Sequence, residues 1–216
     1  MKTTVEVDLY ADVLCPWSYI GKRRFEAALA DLPGRERVRV RWRSYELSPD
    51  EERTPRLSAA ASMSQWWGER GAARVELIHS LAREEGLDID LHRAHPVNTF
   101  DAHRLCQLGA DRGRADEVME RMLRGYLCEG LNVSDPQVLE RLGVEAGLDL
   151  AEVRGVLSGD AYADRVRADE RSARERNVTG VPTLVLDGVP PVSAVQSPDE
   201  LRRLLAGATP VGPGAA

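Results

Sequence analysis

Val5, Val7, Leu9, Ala11 and Val13 alternate with Glu6, Asp8, Tyr10 and Asp12, which is the two-residue period of a β-strand. Cys15-Pro16 follows at once. A proline suits the first turn of a helix, where a missing N–H costs nothing. The helix it opens, with Phe25, Ala28, Leu29 and Leu32 inward, ends at Pro33-Gly34. Residues 37–43 alternate strictly again and read as a second strand with one wet, basic face. The chain therefore begins β-α-β, with a cysteine at the junction of strand and helix.

From about Leu57 to Asn177 the period becomes helical. Residues 72–85 carry Val75, Ile78, Leu81 and Ala82 on one face, with Gly86 as the C-terminal cap. Asn98-Thr99-Phe100-Asp101 supplies an N-cap and a first-turn acid for a helix to about Arg112. Further helices cover residues 114–129, 136 to near 147, and 160–176. Strands return at Thr183–Leu186, closed by Asp187-Gly188, with residues 190–194 as the partner strand. Ser197-Pro198-Asp199-Glu200 is a capping box opening a last helix to about Leu205. No internal repeat is visible.

The expected fold class is α/β, a sheet domain interrupted by a large helical insertion. The first unit comprises residues 1–56 and 178–206, the insertion residues 57–177, and the Gly-, Pro- and Ala-rich stretch from Gly207 to 216 reads as a disordered tail.

Composition removes several function classes. The net charge is −6, against the basic balance of a nucleic-acid binder. No apolar run approaches the ~18 residues of a membrane span. Acids interrupt the N-terminus within eight positions, so no signal peptide is read there and the expected location is cytoplasmic. Three cysteines, Cys15, Cys106 and Cys128, are too few and too scattered for a secreted disulfide framework.

Cys15 carries the first chemical signal. At a helix N-terminus, backbone N–H groups and the helix dipole favour thiolate over thiol, lowering the pKa below the free value of about 8.5. The competing reading is a buried structural cysteine. The second signal is Thr179-Gly180-Val181-Pro182-Thr183, directly before a strand. Pro182 either starts that strand in the trans form or follows a cis bond. The cis form would leave the Val181 N–H and C=O free for an extended substrate.

Cys15-Pro16-Trp17-Ser18-Tyr19-Ile20-Gly21 together with Gly180-Val181-Pro182-Thr183 resembles the DsbA family of thioredoxin-fold proteins. Residues 45–50, 98–105 and 192–196 extend the resemblance, most closely to the FrnE-like subgroup. It implies a thioredoxin-like fold with an inserted helical domain and an active site in the groove between them. The family's motif is Cys-x-x-Cys, and here its last position is Ser18. Ser18 cannot resolve a mixed disulfide, so the expected activity is monothiol exchange: Cys15 as nucleophile, Ser18 as hydrogen-bond partner, Pro16 and Trp17 at the site, and Val181 and Pro182 as the docking strand. No cofactor is expected to be tightly bound. A small thiol, glutathione or mycothiol, would serve as co-substrate.

A second reading is a thiol-dependent isomerase or transferase acting on an aromatic or polyketide-like molecule. It resembles 2-hydroxychromene-2-carboxylate isomerases and kappa-class glutathione transferases, which carry Ser where this chain has Cys15. In that analogy Asn98 faces the cleft; otherwise it is a plain N-cap. A third is a non-catalytic binding or chaperone-like module. The expected partners are thus a small thiol or a thiol/disulfide substrate, an aromatic small molecule, and a second copy in a homodimer. Trp66-Trp67 reads as core in preference to pocket lining. His92, His95, His103 and Cys106 do not space as a metal site, and none is expected.

Overall fold

The computed structural model describes residues 4–208. Strand β1 (Val5–Ala11) runs through Asp12–Leu14 into helix α1 (Pro16–Ala30), and β2 (Val38–Ser44) follows. Seven helices then intervene among the described residues: α2 (Ala59–Trp67), α3 (Glu69–Glu84), α4 (Phe100–Asp111), α5 (Ala115–Leu127), α6 (Pro136–Glu145), α7 (Leu150–Ser158) and α8 (Ala163–Glu175). The chain closes with β3 (Thr183–Leu186), β4 (Val192–Ser193) and α9 (Pro198–Gly207).

The strands form one mixed sheet in the order β2-β1-β3-β4. β1 pairs parallel with β2, Val5 opposite Val38, and antiparallel with β3, Val7 opposite Leu186. β3 pairs antiparallel with β4. On one face, Val5, Val7 and Leu9 pack with Phe25 and Ala28 of α1 and Leu201 and Leu205 of α9. On the other, Tyr10 meets Ala173, Val178 and Val185. The largest apolar cluster joins Ala11, Val13, Tyr19 and Ile20 to the inserted helices.

Both faces of β1 are covered. Asp8, Tyr10 and Asp12 are as buried as the apolar set, because α4 and α8 cover the side that carries them. The basic face of β2 is wet only in part. Arg41 and Arg43 both donate to Asp8 at 2.8 Å, and Arg43 reaches Asp169 of α8, whereas Arg39 points outward.

The helical stretch after residue 57 divides at Gly68, whose φ of 57° separates α2 from α3, and α7 is a separate short helix capped by Asp149. Gly207 closes α9 and Ala208 is buried, so the expected disordered tail does not begin at Gly207; positions 209–216 lie outside the described residues.

α1 approaches the β3–β4 hairpin closely at Gly21. A Cβ there would sit 2.7 Å from Pro182 Cγ and 3.2 Å from the Ala194 carbonyl oxygen. Neither neighbour is a flexible side-chain end. Gly21→Ala is therefore expected to destabilise the fold by about 1–3 kcal/mol, read as a thermal midpoint lowered by ~2–10 °C. An unchanged midpoint would show that α1 is free to move away from the hairpin.

Candidate active site

Cys15 is the N-cap of α1, with Pro16 in the first turn. Its N–H donates to the Asp12 carbonyl at 3.1 Å, which folds the link from β1 into the helix. Its thiol points across to the segment before β3 and donates to the Val181 carbonyl at 3.5 Å. The Val181–Pro182 bond is cis. The Val181 carbonyl is thus occupied by the thiol rather than left free, while the Val181 N–H has no hydrogen-bond partner among the described residues.

Cys15 is 3% exposed. Desolvation by burial pushes its thiol up to about 11, and the nearby Asp12 carboxylate adds to the rise. The Ser18 hydroxyl and the N–H groups of Ser18 and Trp17 act in the opposite sense and do not overcome burial. This corrects the expectation of a lowered pKa from helix position alone. The donors that favour a thiolate are in place, but the resting sulfur is a protonated thiol.

Ser18 is buried beneath Cys15, and its Oγ accepts from the Asp12 N–H at 3.3 Å. Asp12 is itself wholly buried. Its carboxylate accepts from the Leu14 N–H at 3.3 Å, the Leu47 N–H at 2.7 Å, the Thr99 hydroxyl at 3.1 Å and His103 Nε2 at 3.3 Å. Burial alone would lower the His103 pKa, but its contact with Asp12, with Glu46 and Glu170 beyond, holds it above the usual range. His103 Nε2 therefore faces the Asp12 carboxylate inside the protein. Among the described residues no group of three or more His, Cys, Asp and Glu side chains could hold a metal ion.

A cleft of about 380 Å³ opens over Cys15. Pro16, Trp17 and Val181 line it with Cys15, as sequence reasoning placed them. Pro182 does not line it; it packs against α1 beneath and accepts from the Ala194 N–H at 3.0 Å. Asn98 is also absent from its walls. The Asn98 amide donates to the Pro49 carbonyl at 2.9 Å and its Oδ1 accepts from the Phe100 N–H, so its polar groups are spent on local structure.

Trp66 and Trp67 correct a further expectation. They are 61% and 51% exposed, meet edge to face at 5.9 Å, and form a wall of the cleft instead of core. Sequence reasoning also missed Met63, Arg74 and Tyr126 on the walls. The available signal was the pair Trp66-Trp67 immediately before Gly68, two large side chains about 100° apart on the last turn of a helix.

The other cysteines lie elsewhere. Cys106 is buried in the main apolar cluster, and its thiol is pushed up to about 12. Cys128 lines a separate cavity with Tyr19 and Glu120. All three cysteines are free.

Comparison with known proteins gives a consistent result. A family model described as DSBA-like thioredoxin domain matches residues 6–206. The crystal structure of a protein described as a probable DsbA oxidoreductase from Streptomyces coelicolor is 37% identical. It superposes with a TM-score of 0.89 over 96% of this chain and 93% of that one. The uncharacterized protein YwbO of Bacillus subtilis (strain 168) is 28% identical over 85% of this chain and 87% of its own. The cytosolic disulfide reductase DsbM from Pseudomonas aeruginosa, solved with GSH, is 20% identical. It shares the fold with a TM-score of 0.64 over 93% of this chain and 97% of its own.

The raised Cys15 pKa fixes a sign. Only the thiolate reacts, so alkylation of Cys15 by a small iodoacetamide should accelerate about tenfold per pH unit between pH 7 and 9, without a plateau. Site-resolved mass spectrometry of the Cys15 peptide measures it. A plateau below pH 8 would show that the helix N-terminus outweighs burial.

Proposed function

The chain belongs to the DSBA-like thioredoxin domain family, and from that premise we propose that it is a thiol–disulfide oxidoreductase of monothiol type, with Cys15 as its nucleophile. The observation that carries this reading is the placement of Cys15 at the N-terminus of α1 on the cleft, with Ser18 and no second thiol at the end of the motif. The finer placement among FrnE-like proteins rests on residues 15–21 and 98–105 and is part of the same proposal.

The chemistry is an exchange. The Cys15 thiol releases its proton and its hydrogen bond to Val181. The sulfur then attacks one sulfur of a bound disulfide, forming the Cys15–S bond as the S–S bond breaks. The leaving thiolate takes up a proton. The N–H groups of Trp17 and Ser18 and the Ser18 hydroxyl support the charge on Cys15 before attack. A second small thiol then attacks the mixed disulfide and returns Cys15 to the thiol. Intramolecular resolution would enjoy a very high effective concentration. Ser18 cannot provide it, so release depends on external thiol.

Glutathione or mycothiol fits the co-substrate role, and a relative of this fold has been solved with GSH. The indole-walled cleft favours one second reading, a thiol-dependent isomerase or transferase that takes an aromatic molecule there. The proposal keeps the division into residues 1–56 with 178–206 and an insertion at 57–177. It also keeps a cytoplasmic location and a homodimer. Among the described residues no helix is long and apolar enough to cross a membrane.

Reduced protein mixed with equimolar glutathione disulfide is expected to free half of the glutathione and keep the rest on Cys15 until thiol is added. Ser18→Cys is expected to free all of it by closing a disulfide between Cys15 and the new thiol. Wild-type protein that frees all of it unaided, or a Cys15 that takes up none, would overturn the monothiol reading.

A further inference from the structure

The Cys15 cleft is apolar on nearly every side, and its one charged lining residue is Arg74 of α3. Its guanidinium lies 5.5 Å from the Trp17 ring centroid and 5.7 Å from that of Trp67. It is thus held between the residue that flanks Cys15 and the far wall. A cation–π contact uses the ring face and consumes none of the five guanidinium N–H donors.

Among the described residues no carboxylate pairs with this cation. The helix positions that could, 70, 71, 77 and 78, are Arg, Gly, Leu and Ile. Among the described residues Arg74 makes no ion pair and no hydrogen bond. Some exposed helix arginines are paired: Arg154 meets Glu140 at 2.7 Å and Arg165 meets Asp111 at 2.8 Å. Among the described residues Arg70, Arg83 and Arg171, like Arg74, are not. What sets Arg74 apart is its place against Trp17 and Trp67 on the cleft. Arg74 is a positioned cation, aimed into a cleft that holds a reactive sulfur and lacking an internal counter-ion.

We propose that Arg74 determines the specificity of this cleft by binding the carboxylate of a small thiol or disulfide whose sulfur exchanges with Cys15. The inference rests on the oxidoreductase reading and adds the substrate class to it: a low-molecular-weight acidic disulfide. The volume of about 380 Å³ lies within the ~300–1,000 Å³ range of small-molecule sites. A guanidinium binds a carboxylate through two parallel N–H bonds, and low-dielectric indole walls strengthen that pair relative to water. The bound acid sets the disulfide in the cleft. Cys15 then attacks it, and the released half leaves as an acidic thiol.

The test compares three disulfides that differ in charge: 3,3′-dithiodipropionate, 2-hydroxyethyl disulfide and cystamine. The rate of adduct formation on Cys15 is followed by mass spectrometry for the wild type, Arg74→Gln and Arg74→Lys. Arg74→Gln is expected to lower the acidic-to-neutral rate ratio about tenfold and to raise the cationic-to-neutral ratio. Arg74→Lys should keep most of the acid preference. Equal ratios in the wild type and Arg74→Gln, with adducts still forming on Cys15, would overturn the role of Arg74 and leave the oxidoreductase reading standing. No Cys15 adduct with any of the three would overturn that reading itself.

Discussion

The buried carboxylate of Asp12 is the point through which the rest of the site is held. It lies at the end of the central strand, three positions before Cys15. A carboxylate removed from water costs several kcal/mol unless donors replace the lost solvent. Here donors come from three parts of the chain: Leu14 in the site turn, Leu47 after β2, and Thr99 and His103 at the start of α4. Its main chain adds two contacts, accepting from the Cys15 N–H and donating to Ser18 Oγ. One side chain therefore ties the sheet, the first turn of α1 and the inserted helices together, and the position of Cys15 follows from it.

The same burial governs the chemistry. A helix N-terminus normally makes a cysteine acidic, and its donors are present at Cys15. Desolvation and the proximity of Asp12 outweigh them and keep the sulfur protonated, with its hydrogen on the Val181 carbonyl. The arrangement separates two requirements that are often met by a single low pKa. The thiol is protonated at rest, buried at the base of the cleft, and the donors around it are already placed to support charge on the sulfur during exchange. Selectivity then rests on what can enter, which places weight on Trp17, Trp66, Trp67 and Arg74.

Much of this was legible in the residues. Strand, Cys15-Pro16 and helix follow from alternation and from the preference of proline for a first turn. The helical block and the return to strands at Thr183 follow from the change of period. The capping box at Ser197 is present as read, with Glu200 reaching back to the Ser197 N–H. What was not legible depended on contacts distant in sequence. Alternation puts Asp8 and Asp12 on the face of the strand opposite its apolar set, and nothing local reveals that helices from more than 80 residues away cover that face. Asn98 illustrates the same limit: a polar residue before a helix looks available until Pro49 is found to accept its amide. Trp66 and Trp67 invite a core assignment by size, and only the turn at Gly68 exposes them both.

Site-resolved mass spectrometry of the reduced protein after brief exposure to a limiting amount of glutathione disulfide at neutral pH tests the central claim most directly. The account predicts that the adduct resides on Cys15, with Cys106 and Cys128 unmodified, because Cys15 alone combines cleft access with thiolate-stabilising donors. Adduct on Cys106 or Cys128 with Cys15 unmodified would contradict it.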